Sequence, residues 1–294
     1  MLPADVLRQV RRLHLRARRV VQTLLGGEYH SAFKGAGLSF EEVREYQPGD
    51  DVRTIDWNVT ARMNQPFIKR FVEERELTLI LAVDLSASQR FGTQQHTKRA
   101  VAAEIAALLA LCAVSNNDRV GLLGFTSEIE RYVPANKGPR HVLRLLRDIL
   151  GFEPQKPGTD LAAALDFLNK VHRRRAIVFL ISDFLGDGFS EAFKRAARKH
   201  DLIAVRTTDP RELDWPAVGL VRYEDFETGR QLTIDTSNRA VREGFPARAR
   251  ERMAAFTKLC RGAQADLVEA STNGTHFDAL LGFFRKRDRR RRHG

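Results

Sequence analysis

From residue 77 onward, apolar residues fall into blocks whose period switches repeatedly between that of a strand and that of a helix. Positions 77–85 are a near-continuous apolar run, the pattern of a strand covered on both faces. An alanine- and leucine-rich stretch at 97–114 predicts a buried helix, followed by a strand at 119–125 and a short amphipathic helix at 141–150. A helix at 160–171 leads into a fully apolar strand at 176–181. Beyond it come a helix at 189–199, a strand at 202–207, a long helix at 238–262, a strand at 265–270 and a helix at 277–287. Such alternation predicts an α/β, Rossmann-like architecture, a mostly parallel sheet with helices on both faces. Ligands in such sheets sit outside the carboxyl ends of the strands. Asp84 stands at one of those ends.

Three stretches depart from the alternation. Within residues 1–26, Val6, Val10, Leu13, Ala17, Val20 and Leu24 recur at steps of three or four, interleaved with Arg8, Arg11, Arg12, Arg16, Arg18 and Arg19. This predicts an amphipathic helix packed on its own domain with its arginines in solvent. Residues 27–76 lack helical periodicity and carry Gly35-Ala36-Gly37 and Pro48-Gly49-Asp50-Asp51. They read as a small β-rich region with strands near 38–46 and 66–72. Within the main unit, 77–284, residues 218–235 alternate around Thr228-Gly229 and predict an inserted β-hairpin. The basic stretch 285–294 reads as a disordered, solubilising tail.

At 294 residues and 43% hydrophobic, the chain can bury a core as one large domain or two small ones. Cys112 and Cys260 lie far apart with no His or Cys partner at metal spacing, so a reducing compartment is expected. The first residues lack an apolar signal region, and the longest apolar run, 100–114, is too short for a membrane span and contains Glu104. A cytoplasmic protein is the expectation. The net charge of +12 permits anionic partners without naming one. Nucleic acid is a weak candidate, because no aromatic residues interleave with the terminal arginines.

The candidate chemistry is Asp84-Leu85-Ser86-Ala87-Ser88. A D-x-S-x-S match arises by chance in about 0.02 of chains of this composition, so context decides its meaning. Asp84 could merely cap the following loop, with both serines solvated. Read functionally, three oxygen side chains on alternate residues at a strand end suit a hard cation, Mg2+, Mn2+ or Ca2+. Two more strand-end loops offer partners: Thr159 and Asp160 after Pro157-Gly158, and Asp183 after the strand 176–181. Each has a plainer role open to it, a helix N-cap for Thr159 or Asp160 and a loop carboxylate for Asp183.

Taken in order, these elements resemble the metal-ion-dependent adhesion site of von Willebrand factor type A domains. The resemblance implies that Ser86, Ser88 and Thr159 ligate the ion, with Asp84 and Asp183 supporting it largely through water and Asp160 in a structural role. The flanking residues resemble a narrower family, domain of unknown function 58. The likeness rests on Lys34-Gly35-Ala36-Gly37-Leu38-Ser39-Phe40, on the run Arg44 to Trp57 with Pro48-Gly49-Asp50-Asp51 inside it, and on Ala61-Arg62. Gln89 departs from that pattern, where many members have methionine, as does the lack of N-terminal membrane helices seen in many relatives. Members are commonly encoded beside MoxR-type AAA+ ATPases. The resemblance therefore implies a non-enzymatic, Mg2+-dependent interaction module that accepts an acidic side chain of a protein partner, an adaptor or co-chaperone of such an ATPase. A metal-dependent phosphoester hydrolase is the alternative from another class, although G-x-x-x-x-G-K-[ST], H-E-x-x-H and G-x-S-x-G motifs are all missing. The charged residues between Arg44 and Arg62 either form a salt-bridge lattice that holds the β-rich region or a recognition surface. The lattice is the preferred reading.

Overall fold

The structure, a computed structural model, describes residues 4–21, 26–33, 42–48, 50, 52, 55, 57–63, 65–70, 76–154, 158–224 and 230–292. Its elements run, in chain order, α1 (Ala4–Val20), α2 (Gly26–Phe33), β1 (Glu42–Glu45), α3 (Trp57–Met63), β2 (Phe67–Arg70), β3 (Thr78–Asp84), α4 (Lys98–Ser115), β4 (Arg119–Phe125), β5 (Ile129–Asn136), α5 (Pro139–Leu150), α6 (Leu161–Val171), β6 (Ile177–Ser182), α7 (Ser190–Lys199), β7 (Asp201–Thr208), β8 (Leu220–Glu224), β9 (Gln231–Asp235), α8 (Arg239–Gly262), β10 (Asp266–Ser271) and α9 (His276–Arg292).

Six of the described strands form one sheet in the order β10-β7-β6-β3-β4-β5, parallel except for the β4–β5 pair. Numbered along the sheet's own chain order this is the doubly wound 3-2-1-4-5-6 arrangement, with its third strand reversed. The direction of winding changes between β3 and β6, the crevice where such sheets bind ligands.

Burial explains the apolar run of β3. Leu79, Leu81 and Val83 point into a core built with α1, α2, α4, α5 and α9. Ile80 and Ala82 point into a second core with α6, α7 and α8. Helix α4 is apolar all round because neighbouring helices and the sheet cover it, and Val101 to Ala110 are buried throughout. α1 seats Val10, Leu13 and Ala17 and leaves Arg8, Arg11 and Arg12 exposed, as its periodicity predicts.

Three parts of the chain fold differently from what their patterns predict. Region 27–76 does contain the paired strands β1 and β2, but helices α2 and α3 accompany them. α2 is a core element: Tyr29, Ala32 and Phe33 are buried, and Tyr29 and Phe33 meet the ring of Phe284. Eight residues between glycines were too few to register a period. Next, β5 was not expected, because as a sheet edge it is only half-buried and its alternation is weak.

Finally, the basic tail is not a disordered end as far as Arg292, because α9 carries it. The guanidinium of Arg287 donates to the carboxylates of Asp201 and Asp266 and lies 4.7 Å from the centroid of the Phe33 ring. Arg285 pairs with Glu28, and Arg290 with Asp266.

The inserted hairpin is β8–β9, antiparallel, while its predicted turn at Thr228-Gly229 lies outside the described residues. Of the charged signature, Arg44 pairs with Asp50 at 2.7 Å and Arg62 is exposed. Lys34 to Phe40, Gly49, Asp51, Arg53, Thr54 and Asp56 lie outside the described residues.

Candidate metal centre

β3 ends on Asp84, and the chain then turns through Ser86 into a short 3-10 helix, Ala87–Arg90. The turn is built by the aspartate itself, whose Oδ1 accepts the backbone N–H of Ser86 at 2.9 Å. Its Oδ2 accepts the hydroxyl of Ser182, at the end of β6, at 2.6 Å. Ser88 Oγ donates to Asp183 Oδ2 at 3.0 Å and lies 3.1 Å from Ser86 Oγ. A hydroxyl has a single proton to give, so with Ser88 committed to Asp183, Ser86 donates to Ser88. Four of the five expected residues, Asp84, Ser86, Ser88 and Asp183, are thus brought together at the crevice between β3 and β6.

Thr159 is not joined to them among the described residues. It lies in the loop before α6, where Gly158 adopts φ +88, a conformation side chains resist. Its carbonyl oxygen would lie 3.7 Å from a Cβ added to Gly186, in the loop that also carries Asp183. Among the described residues no hydrogen bond links its hydroxyl to the other four. Asp160 caps α6, accepting the N–H of Ala163 at 2.8 Å, so its plain structural reading holds. Pro157 lies outside the described residues.

The electrostatics of the centre are unbalanced toward negative charge. Asp84 and Asp183 are buried, 1% and 7% exposed. Burial first, and the charge of Asp183 second, push the Asp84 carboxyl up to about 7, against hydrogen bonds from Ser182 and Ser86 that favour the charged form. Lys98, the first residue of α4, is 1% exposed and sets its ammonium 2.7 Å from Asp183 and 2.7 Å from Glu212. Burial works against that charge, but the two carboxylates outweigh it and hold the ammonium above its ordinary value. Among the described residues, the carboxylates of Asp84, Asp183 and Glu212 are therefore balanced in part by the Lys98 ammonium.

Further residues complete the frame. Phe184 adopts φ +55, unusual for a side chain this large. It is held by stacking on Phe256, with centroids 4.1 Å apart, and by its N–H on Ser182 Oγ at 3.1 Å. Its neighbour Asp183 accepts the N–H of Leu185 on Oδ1 and the Ser88 hydroxyl and Lys98 ammonium on Oδ2. Glu212 is fixed by a capping box with buried Asp209, whose carboxylate also accepts Thr93 Oγ1 at 2.6 Å and Thr272 Oγ1 at 2.7 Å.

The donor set fits a hard cation. Every candidate group is a carboxylate or hydroxyl oxygen, with no thiol or imidazole among them. Among the described residues no three His, Cys, Asp or Glu side chains converge to hold a metal, so a cation here would rest on two carboxylates and the serine and threonine hydroxyls. Sequence reasoning counted Ser182 in the motif without giving it a role, and missed Lys98 and Glu212. A visible signal existed for Lys98, a cation opening an otherwise apolar helix.

Fold and cluster together define a doubly wound, mostly parallel α/β protein with serine and aspartate side chains gathered at the sheet's switch point. Residues 42–255 match the family described as "Protein of unknown function DUF58", and the chain belongs to that family. It is similar to the uncharacterized protein Rv1480 of Mycobacterium tuberculosis, 35% identical over 286 residues that span 95% of this chain and 89% of the relative. A shorter likeness, 28% over 107 residues, joins it to the uncharacterized protein YeaD of Bacillus subtilis, covering 36% of this chain and 25% of that one. Among solved structures it is similar to BatB from Bacteroides thetaiotaomicron, at 17% identity and TM-score 0.47 over 72% of this chain and 99% of that chain. It is also similar to the SpRpn10 VWA domain, at 13% identity and TM-score 0.38 over 70% and 93%. No helix among the described residues is long and apolar enough to cross a membrane.

Proposed function

We propose that this chain is a non-enzymatic protein-interaction module whose recognition site is a Mg2+ centre on Asp84, Ser86, Ser88, Thr159 and Asp183. The observation that carries this reading is the continuous chain of bonds from Ser86 through Ser88 to Asp183, beside an Asp84 carboxylate short of positive charge. A bound Mg2+, or Mn2+ or Ca2+, would supply a coordination position open to a partner's carboxylate. The chain's own residues do the rest. The Asp84 turn presents the two serines, Ser182 orients Asp84, and Lys98 with the N–H of Leu185 holds Asp183. The ligand implied is an acidic side chain on a protein.

The partner machinery we propose, from the family resemblance, is a MoxR-type AAA+ ATPase in the cytoplasm, with this chain as its adaptor or co-chaperone. The test is binding between this protein and a purified MoxR-type ATPase from the same source, in Mg2+ and in EDTA. Binding that is lost in EDTA and in Ser86→Ala/Ser88→Ala supports the reading. Binding unaffected by either removes the metal from it. Mg2+-dependent turnover of a generic phosphoester, abolished by Asp84→Ala, would favour a hydrolase instead.

A further inference from the structure

Lys98 sits where a lysine is least expected. It opens α4, so its charge lies at the positive end of the helix dipole, and its side chain is fully buried. Both circumstances disfavour an ammonium, and among the described residues the carboxylates of Asp183 and Glu212 offset them, with the Phe91 ring 5.9 Å away adding weakly. One of these carboxylates belongs to the candidate metal centre. Asp183 Oδ2 receives the ammonium at 2.7 Å and the Ser88 hydroxyl at 3.0 Å on the same oxygen.

We propose that Lys98 is a built-in cation that competes with the divalent ion for Asp183 and thereby keeps the ion weakly held until a partner's carboxylate joins the site. This rests on the reading of the centre given above. An ammonium and a divalent ion sharing one buried carboxylate repel each other where water screens little. Glu212 gives the ammonium a second anchor, and its capping box with Asp209 keeps that anchor in place. Lys98 can thus surrender Asp183 without becoming an unpaired buried charge. A carboxylate brought by a partner adds the negative charge that shifts the balance from ammonium to ion. Ion and partner then bind cooperatively, each raising the affinity of the other by the same factor.

The test is Mg2+ affinity by calorimetry, with the rise in Tm at saturating Mg2+ as a second readout, for wild type, Lys98→Met, Lys98→Gln and Glu212→Gln. Lys98→Met and Lys98→Gln should melt below wild type in EDTA yet bind Mg2+ at least tenfold tighter, with a larger Tm rise. Glu212→Gln, at a partly exposed side chain, concentrates the ammonium on Asp183 and should weaken Mg2+ binding severalfold. It keeps the proposal testable should both lysine variants fail to fold. A cooperatively folded lysine variant that binds Mg2+ no tighter than wild type overturns the proposal and leaves the metal centre standing, as does unchanged affinity in Glu212→Gln. No Mg2+ binding by wild type or any folded variant overturns both.

Discussion

Replacing Asp84 by asparagine should stabilise the protein without metal and abolish its response to metal. The carboxyl is buried and accepts two hydrogen bonds, from Ser86 N–H and Ser182 Oγ. Its ordinary value of 3.8 is pushed up to about 7, by burial and then by Asp183. A native-state value above the unfolded one means that the charged form destabilises the fold. That penalty is complete above pH 7, on the order of 4 kcal/mol, and shrinks as pH falls toward 3.8. Asparagine removes the charge and keeps one acceptor oxygen. The weakened second bond returns about 1–2 kcal/mol of the gain. The net at pH 8 in EDTA is about 2–3 kcal/mol of added stability, or a rise in Tm of about 3–5 °C for a chain of this length. By pH 5 more than half of this advantage should be gone, because wild-type Asp84 is then protonated. In Mg2+ the ranking reverses, since wild type gains the ion and the variant does not. Thermal melts at pH 8 and pH 5, in EDTA and in Mg2+, read all of this out. An Asp84→Asn variant that melts below wild type in EDTA at pH 8 would refute the reasoning, as would an advantage that does not change with pH.

Two further predictions concern stability away from the centre. Burial first, then the charges of Lys199, His172 and Arg175, push the imidazole of His200 down to about 4, and its Nδ1 accepts the N–H of Ala176. Its stabilising contribution is therefore present above its unfolded value of 6.5 and lost as pH falls through 4, about 3 kcal/mol in all. Urea unfolding at pH 7.5 and 4.5 should show that loss in wild type and a smaller one in His200→Gln; equal losses would contradict the assignment. Arg287→Ala should cost about 2–3 kcal/mol, because it strands the half-buried carboxylate of Asp201, leaves Asp266 to Arg290, and removes a cation from the Phe33 ring. Arg289→Ala, on the exposed side of the same helix, should stay within about 0.5 kcal/mol by the same denaturation assay.

Periodicity revealed the fold wherever burial imposed it. β3 and β6 are covered on both faces, so their apolar runs could be little else, and the caps Thr97 and Asp160 mark real helix starts. Elements whose burial depends on distant partners were harder to see. α2 is only eight residues long and is held by Phe284, more than two hundred residues away. The arginine-rich end of α9 looked like a solvated tail because the acids that order Arg285, Arg287 and Arg290 come from α2, β7 and β10.

The centre divides along the same line. Asp84, Ser86 and Ser88 are local in sequence, and Asp183 was visible as the end of an apolar strand. Lys98 and Glu212 reach the centre only through the fold, although a lysine opening a buried helix against the helix dipole was a signal open to notice.

The central claim is that the cluster at the ends of β3 and β6 holds a divalent cation. Calorimetric titration of Mg2+ into wild type and Ser86→Ala/Ser88→Ala tests it most directly. The account predicts saturable binding by wild type, strengthened by a carboxylate-bearing partner and absent in the double variant. Binding of equal strength by both proteins would contradict it, because the ion would then lie elsewhere.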